Sequence, residues 1–217
     1  MSTLIEHRGP DGHGSWSNDS KSVGLVHRRL AIIDLTPDGA QPMVGPNATV
    51  VTYNGEIYNY LELRDTLAGH WNFQSHSDTE TILAAYEADG AACVDRLRGM
   101  FAYAVWDERR QTLEVARDRF GIKPFYYTVV DGVFYFASEI KALVPILPAV
   151  EIDQKALTEY LTFQYPITEL TLFKGVHQLH PGHALTVKNG QVSIRKYWDV
   201  RYEHDHSITA DSARTRI

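Results

Sequence analysis

The chain has 217 residues, of which 44% are hydrophobic and 11% aromatic, and this is enough to build one buried core. Its net charge of −6 argues against a nucleic-acid-binding surface, and no apolar run approaches the length of a membrane span. One cysteine, Cys93, excludes an internal disulfide and predicts a reducing, cytoplasmic setting.

The first recognisable segment is a loop, HRGPDG at residues 7–12, because Gly-Pro and Asp-Gly favour turns. Only six residues precede it, so we expect that the chain begins inside a longer fold. Two short apolar runs, at residues 23–27 and 28–35, then predict strands. Arg29 in the second run is either an edge residue that reaches solvent or a residue whose forked guanidinium group binds a carboxylate.

A β-branched run at residues 50–53 predicts a strand that stops at Asn54-Gly55, which is a strong turn signal. A turn is the commonplace interpretation. The alternative is an oxyanion site, in which the Asn54 amide and the Gly55 N–H stabilise the oxygen of an attacked acyl group. The dipeptide alone favours the turn, so the choice between a turn and an oxyanion site depends on the other residues of the chain.

Two helices are predicted next, over residues 58–68 and from residue 77 to Gly90. Ser77 and Glu80 have the spacing of a capping box at the start of the second helix. Asp78 in its first turn either interacts with the helix dipole or accepts an ammonium group.

The remaining elements are predominantly β. The predicted elements are a central strand at 100–106, a half-buried strand at 112–116, hairpins at 125–137 and 183–198, and helices at 138–143 and after Asp153. Cys93 is expected in the core, because a lone cysteine is commonly a small buried residue. No nearby histidine would activate its thiol. His204-Asp205-His206 contains metal-ligand types, although a solvated tail is the stronger interpretation. The chain has no phosphate loop and no Cys/His metal spacing, so no cofactor or metal is predicted in it.

Three points of the sequence form a functional set: Arg29, Asn54-Gly55 and Asp78. An α-amino acid presents a carboxylate, which suits arginine, and an ammonium, which suits aspartate. A side-chain carbonyl suits the paired amide and N–H donors. The set therefore predicts recognition and hydrolysis of the glutamine side chain.

The ordered motifs resemble the class II glutamine amidotransferase domain of glutamine-hydrolysing asparagine synthetases. The motifs are HRGPDG at 7–12, HRRLAIID at 27–34, YNGEIYN at 53–59, SDTE at 77–80, ARDRFGIKPFYY at 116–127, FASEIKAL at 136–143 and GVHQLHPGH at 175–183. The resemblance covers nearly the whole chain. The second and fifth motifs indicate the asparagine synthetase branch in particular.

The resemblance implies an α+β fold, a four-layer αββα sandwich of the N-terminal nucleophile hydrolases, with the first strand missing. It also implies a set of glutamine-binding residues. These are Arg29 for the carboxylate with Leu30, Ala31, Ile32 and Ile33 alongside, Asn54 and Gly55 for the oxyanion, Glu56 for seating the substrate and Asp78 for the amino group. Ammonia would pass to a synthetase domain that uses ATP and magnesium to amidate aspartate.

Two departures from the family pattern affect activity. The family nucleophile is an N-terminal cysteine whose own α-amine is the base, and this chain has none at that position. Cys93 is internal, and Ser2 lies too close to His7 to match the nucleophile strand. The synthetase domain is also absent. We expect an N-terminally truncated amidotransferase domain at residues 1–199, a linker with the start of the synthetase domain at 200–217, and no glutaminase activity in the chain alone.

Alternative functions remain open at this point. Another class II amidotransferase is one, although those branches typically carry Arg-Trp-Ala-Thr where this chain has residues 29–32. A non-catalytic glutamine-binding or interaction module is the other, because binding residues without a nucleophile would suit it. Expected partners are glutamine, the synthetase domain and a second copy in a homodimer, without nucleic acid or membrane.

Overall fold

The computed structural model describes residues 1–202, 212, 214 and 215, so His204-Asp205-His206 lies outside the described residues. The helices are α1 (Tyr60–Leu67), α2 (Asp78–Asp89) and α3 (Gln154–Phe163). The strands are β1 (Gly12–Ser17), β2 (Gly24–Arg29), β3 (Met43–Val44), β4 (Thr49–Ile57), β5 (Gly99–Asp107), β6 (Thr112–Arg117), β7 (Tyr126–Val130), β8 (Val133–Ala137), β9 (His177–Gln178), β10 (His183–Lys188) and β11 (Gln191–Lys196).

A six-stranded antiparallel sheet forms the second layer, in the order β11-β10-β6-β5-β4-β3. Its centre is β5, in which the seven residues from Phe101 to Asp107 are all buried, as expected for a strand covered on both faces. Helices α1 and α2 cover one face of this sheet and form the first layer. Ile82 and Leu83 of α2 pack there with Val51 and Val105 of the sheet, all at most 1% exposed.

The other face of this sheet packs against a third layer, which consists of two smaller sheets, β1-β2 and β8-β7-β9. Leu25 of β2 and Phe125 before β7 join the same apolar cluster as Val50 and Ala104 of the large sheet. The outer face of β8-β7-β9 is covered by short 3-10 turns, and Leu143 is fully buried there. The order helix, sheet, sheet, helical turns confirms the α+β sandwich architecture.

The third layer is divided where β2 and β8 approach the same cavity. Among the described residues no strand lies between them, so the two sheets remain separate. His27 of β2 and Phe136 and Ala137 of β8 line this cavity from either side. The division places a concave site over the middle of the sandwich.

An ion cluster connects the two halves of the third layer. Glu139, after β8, accepts hydrogen bonds from His7 at 2.9 Å and Arg8 at 3.0 Å, and its carboxylate lies 3.1 Å from the Lys141 ammonium. Partial burial opposes ionisation, but the bonds from Arg8, Lys141 and His7 lower the pKa of Glu139 to about 2. The carboxylate therefore ties the 3-10 turn Ser2–Arg8 to the segment that follows β8.

Most predicted elements are confirmed, including both helices near residues 60 and 80, β5, β6 and the two later hairpins. The strand prediction for residues 28–35 is wrong, because β2 ends at Arg29 and a loop follows. In that loop the Asp34 carboxylate accepts the N–H groups of Thr36 and His76, which replaces strand pairing with a local turn. In the described part of the chain, no helix has the length and apolar character of a membrane span.

Candidate functional site

A cavity of about 240 Å³ lies where the end of β2, the loop after it, the end of β4 and the start of α2 meet. All nine residues that the resemblance assigns to glutamine binding border this cavity. They are Arg29, Leu30, Ala31, Ile32, Ile33, Asn54, Gly55, Glu56 and Asp78. The fold thus brings together segments that the sequence keeps far apart.

The Asn54-Gly55 pair lies inside a strand, so the predicted turn at this point is wrong. Strand β4 runs on to Ile57 and pairs with β5, with Gly55 opposite Phe101. Gly55 has φ +149°, and a Cβ on it would overlap the carbonyl of Met100. Glycine is needed here for the close approach of β5, and not for a reversal of the chain.

Beyond Val51, where its pairing with β3 ends, the edge of β4 presents backbone donors to the site. The N–H of Tyr53 donates to the Gln41 side chain at 2.7 Å, and the N–H of Ile57 donates to Asp78 at 2.9 Å. Because N–H groups of alternate residues point to the same edge, the Gly55 N–H points in this direction too. Phe101, opposite Gly55, uses both of its backbone groups on Asp118. A ligand oxygen at this edge can accept from Gly55.

The amide nitrogen of Asn54 is a second donor. It is buried and has no hydrogen-bond partner among the described residues. An unsatisfied buried donor costs about 1–3 kcal/mol, so native proteins rarely leave one without a use. The Asn54 amide and the Gly55 N–H together have the composition of an oxyanion site, which was the alternative interpretation of this dipeptide.

Arg29 provides positive charge on the opposite wall. Its guanidinium donates to the carbonyl of Thr36 at 2.8 Å and to the carbonyl of Asp34. These bonds fix the side chain against the loop but leave its charge unpaired. No carboxylate in the described part of the chain lies within ion-pair distance of it. A ligand carboxylate would supply the missing counter-charge.

Asp78 is the first residue of α2, and its carboxylate is buried. It accepts hydrogen bonds from the Tyr53 hydroxyl at 2.7 Å and from the N–H of Ile57 at 2.9 Å. Burial raises the pKa of Asp78 above its ordinary value despite these bonds. A buried carboxylate of this kind gains from a cationic partner, and a ligand ammonium would be one.

The cap of α2 differs from the predicted capping box. The Ser77 hydroxyl accepts the N–H of Thr79 at 3.1 Å, as expected for a capping residue. Glu80 instead accepts bonds from the backbone N–H groups of Gln74 and Ser75 and from the Trp71 indole. It therefore fixes the loop before the helix, so that Asp78 enters the site in a defined position.

Sequence reasoning missed two residues that support the site, Tyr53 and Gln41. The Tyr53 hydroxyl holds Asp78, and the Gln41 side chain links the Tyr53 backbone to Thr79 through bonds of 2.7 and 3.2 Å. Alternation along β4 could have placed Tyr53 on the helix side of the sheet. The partnership with Asp78 depends on tertiary packing, which leaves no local signal.

The loop after β2 forms an apolar rim. Leu30 is 55% exposed and Ile32 57% exposed, although both border the cavity. The N–H of Ala31 donates to the Asp11 carboxylate at 2.9 Å, so the HRGPDG segment holds this loop in place. The loop presents aliphatic side chains beside Arg29 that can shield a bound ligand from water.

His27 is a further lining residue that the sequence reasoning did not select. Its Nδ1 lies 3.4 Å from the Thr52 hydroxyl. Burial, aided by the charge of Arg29, lowers the pKa of His27 to about 4, so the ring is neutral near pH 7. A neutral His27 adds no charge to the cavity, which Arg29, Glu56 and Asp78 also line.

Neither proposed substitute for a nucleophile borders the cavity. Cys93 is fully buried, and burial raises the pKa of its thiol to about 12. Ser2 is bonded through its hydroxyl to the Arg28 guanidinium at 3.0 Å. Among the described residues no cysteine lines the site.

A comparison with protein families assigns the class. Residues 1–198 match the family described as a glutamine amidotransferase domain, so the chain belongs to this family. The cavity with its amide and N–H donors lies within the matched region.

Curated relatives of similar identity include an asparagine synthetase and an amidase. The chain is 40% identical over 206 residues to glutamine-hydrolysing asparagine synthetase 1 of Bacillus subtilis, covering 94% of this chain and 32% of that protein. It is also 39% identical over 201 residues to amidase chry2 of Gibberella zeae, covering 92% of this chain and 30% of the relative. The chain therefore spans about a third of the length of these relatives.

Solved structures confirm the fold. The glutamine phosphoribosylpyrophosphate amidotransferase of Bacillus subtilis matches with a TM-score of 0.65 at 18% identity, over 90% of this chain and 45% of that one. A class II glutamine aminotransferase domain protein of Silicibacter pomeroyi matches with a TM-score of 0.50 at 14% identity, over 87% and 92%. At these identities the likeness concerns the fold, which is that of the N-terminal nucleophile hydrolases.

Proposed function

We propose that the cavity binds L-glutamine and that the chain is the glutamine-using domain of an asparagine-forming enzyme. The observation that carries the proposal is the buried, unpaired amide nitrogen of Asn54 in the same cavity as Arg29 and Asp78. The three groups match the side-chain carbonyl, the carboxylate and the ammonium of one amino acid.

Each part of the site has a separate role in this proposal. The Arg29 fork pairs with the ligand carboxylate, while Asp78 accepts from the ammonium. Asn54 and Gly55 donate to the side-chain carbonyl and would bind it more tightly once it becomes a tetrahedral oxyanion. Glu56, whose side chain borders the cavity, supplies a further acceptor for seating the substrate.

Calorimetric titration tests glutamine binding directly. The chain should bind L-glutamine, and D-glutamine should bind at least about tenfold more weakly, because inversion separates the carboxylate and ammonium from Arg29 and Asp78. Asn54→Asp is a near-isosteric variant that replaces the donor with an acceptor and should abolish binding. Saturable binding of both enantiomers with equal affinity would contradict the assignment.

Hydrolysis requires a nucleophile beside the oxyanion donors, which by the resemblance is an N-terminal cysteine. Cys93 cannot act as one, because its thiol is fully buried away from the cavity. The proposed activity of the 217-residue chain by itself is therefore binding without ammonia release. Ammonia production by the chain would contradict this, and its loss in Ser2→Ala would identify Ser2 as the nucleophile.

The activity proposed for the longer protein is transfer of ammonia to aspartate in a synthetase domain that uses ATP and magnesium. The described residues do not fit these ligands, because they form no phosphate loop and no group of three candidate metal ligands. The proposal leaves that chemistry outside the chain. The free, buried thiol of Cys93 suits the cytoplasm, which is the proposed location.

A glutamine-binding module without catalysis is the second candidate function. The absence of a cysteine among the residues lining the described cavity favours it. A fusion that adds an N-terminal strand beginning Cys-Gly-Ile and the helix that follows it before Met1 distinguishes the two functions. Glutaminase activity in that fusion supports the enzyme, whereas tight glutamine binding without turnover supports the module.

A further inference from the structure

Helix α3 exposes the apolar side chains that would normally hold a helix to its domain. Ala156 is its one buried residue, although the helix also carries leucine, tyrosine and phenylalanine side chains. The exposed set comprises Tyr160 at 44%, Leu161 at 75% and Phe163 at 49% in the helix, and Tyr165 at 62% and Ile167 at 51% in the segment after it. We call these five residues the α3 patch.

The α3 patch has a defined shape, because polar contacts fix the chain on both sides of it. Asp153 caps the helix by accepting the N–H of Ala156 at 2.9 Å. Glu159 accepts the backbone N–H groups of Ile167 and Thr168 at 3.0 and 3.2 Å, which folds the segment after the helix back onto it. The apolar side chains are therefore presented outward by an ordered segment.

The two ends of the segment that carries the α3 patch are anchored in the fold. Ile152 forms a β-bridge with Phe173, and Leu170 forms one with His177 of β9. The Lys174 ammonium also pairs with Glu151 at 2.7 Å. An isolated ten-residue helix is marginal in water, so a helix with such limited burial needs a further partner for stability.

The size of the patch indicates the kind of partner. Five large side chains, each about half exposed, offer on the order of 500 Å² of surface. This is below the roughly 800 Å² per side that is typical of stable complexes between separate chains. Two such faces bury about 1,000 Å², which is within the range of interfaces between domains of one polypeptide.

We propose that the α3 patch is the docking surface for a second folded domain of the same polypeptide. The relatives supply the reason to expect one, because this chain covers 30 to 36% of their length. The docked face should be aliphatic at its centre, opposite Leu161. Acceptor groups should lie at its rim, where they can accept hydrogen bonds from the hydroxyls of Tyr160 and Tyr165. The proposal does not depend on glutamine binding.

Hydrogen exchange in a chimera tests the proposal. This chain replaces the matching third of the Bacillus subtilis asparagine synthetase 1, and exchange over residues 154–167 is compared with that in the chain alone. Docking should slow exchange there at least about tenfold and leave β5 unchanged. Leu161→Glu should restore the faster exchange, whereas Ile194→Glu, on a β11 side chain that is 48% exposed, should have no effect.

Three results would overturn the proposal. The first is equal exchange over residues 154–167 in the chimera and in the chain alone. The second is slow exchange in the chimera that Ile194→Glu removes as fully as Leu161→Glu. The third is a doubled molar mass of the chain alone in light scattering, reduced to a single mass by Leu161→Glu, which would assign the patch to a second copy.

Discussion

Replacement of Arg29 by alanine should weaken glutamine binding far more than replacement of its neighbour Arg28. Arg29 donates to two loop carbonyls and lacks a carboxylate partner among the described residues. Arg28 already has its partners, with Ser2 at 3.0 Å and Glu6 at 3.3 Å. A ligand carboxylate should therefore pair with Arg29 and leave Arg28 largely unaffected.

The expected magnitude follows from the character of this pair. Hydrogen bonds to charged groups contribute about 1.5–3 kcal/mol, and a guanidinium–carboxylate pair in a partly buried cavity belongs to the upper part of that range. We expect Arg29→Ala to cost about 2–3 kcal/mol, or roughly a 30- to 150-fold increase in Kd. Arg28→Ala should change Kd by less than about threefold.

A ligand lacking the carboxylate separates direct pairing from loss of the loop's structure. The compound 4-aminobutanamide keeps the ammonium and the side-chain amide of glutamine. If Arg29 pairs with the carboxylate, Arg29→Ala should barely change the affinity for this compound. The substitution and the removal of the ligand carboxylate are then strongly coupled. Calorimetry on the two proteins and two ligands gives the coupling energy. Equal losses for both ligands, or equal losses in the Arg28 and Arg29 variants, would refute the reasoning.

Four other outcomes follow from the site. Affinity for glutamine should be weak in acid and rise as the pH passes through the raised pKa of the buried Asp78, because the carboxylate binds an ammonium only when it is ionised; Asp78→Asn should remove this dependence in calorimetry. The free energy of unfolding should fall as the pH drops from 6.5 towards 4, because His27 takes up a proton more readily in the unfolded chain, and His27→Gln should flatten this part of the urea-derived profile. Gly55→Ala should destabilise the fold by at least about 2 kcal/mol in urea, whereas Gly69→Ala, with open space around its Cα, should not. Cys93→Ala should leave glutamine affinity unchanged, because the thiol is buried outside the cavity, and a tenfold loss would contradict that placement.

Local patterns were sufficient for much of the fold. Alternation and turn residues placed the hairpins around residues 131 and 189, and Ser77 and Asp153 marked helix starts whose capping bonds are present. Strand β1 went unpredicted, because its residues GHGSWS alternate without a clear apolar face, and its pairing with β2 defines it.

Part of the candidate site could also be predicted from the sequence. Arg29, Asn54 and Asp78 were selected by chemical type, and the fold places them around one cavity. Asn54-Gly55 was nevertheless expected at a turn, since the dipeptide also suits a strand in which a second backbone comes close. That approach involves Met100, which is distant in the sequence. Their roles in binding stay predictions until the titrations are made.

The three principal site residues belong to three different layers of the sandwich. Arg29 ends a strand of the third layer, Asn54 belongs to the large sheet, and Asp78 begins a helix of the first layer. A ligand held by all three acts as a reversible cross-link through the thickness of the domain. Its occupancy should therefore make separation of the layers more cooperative, so that unfolding itself reports whether the site is filled.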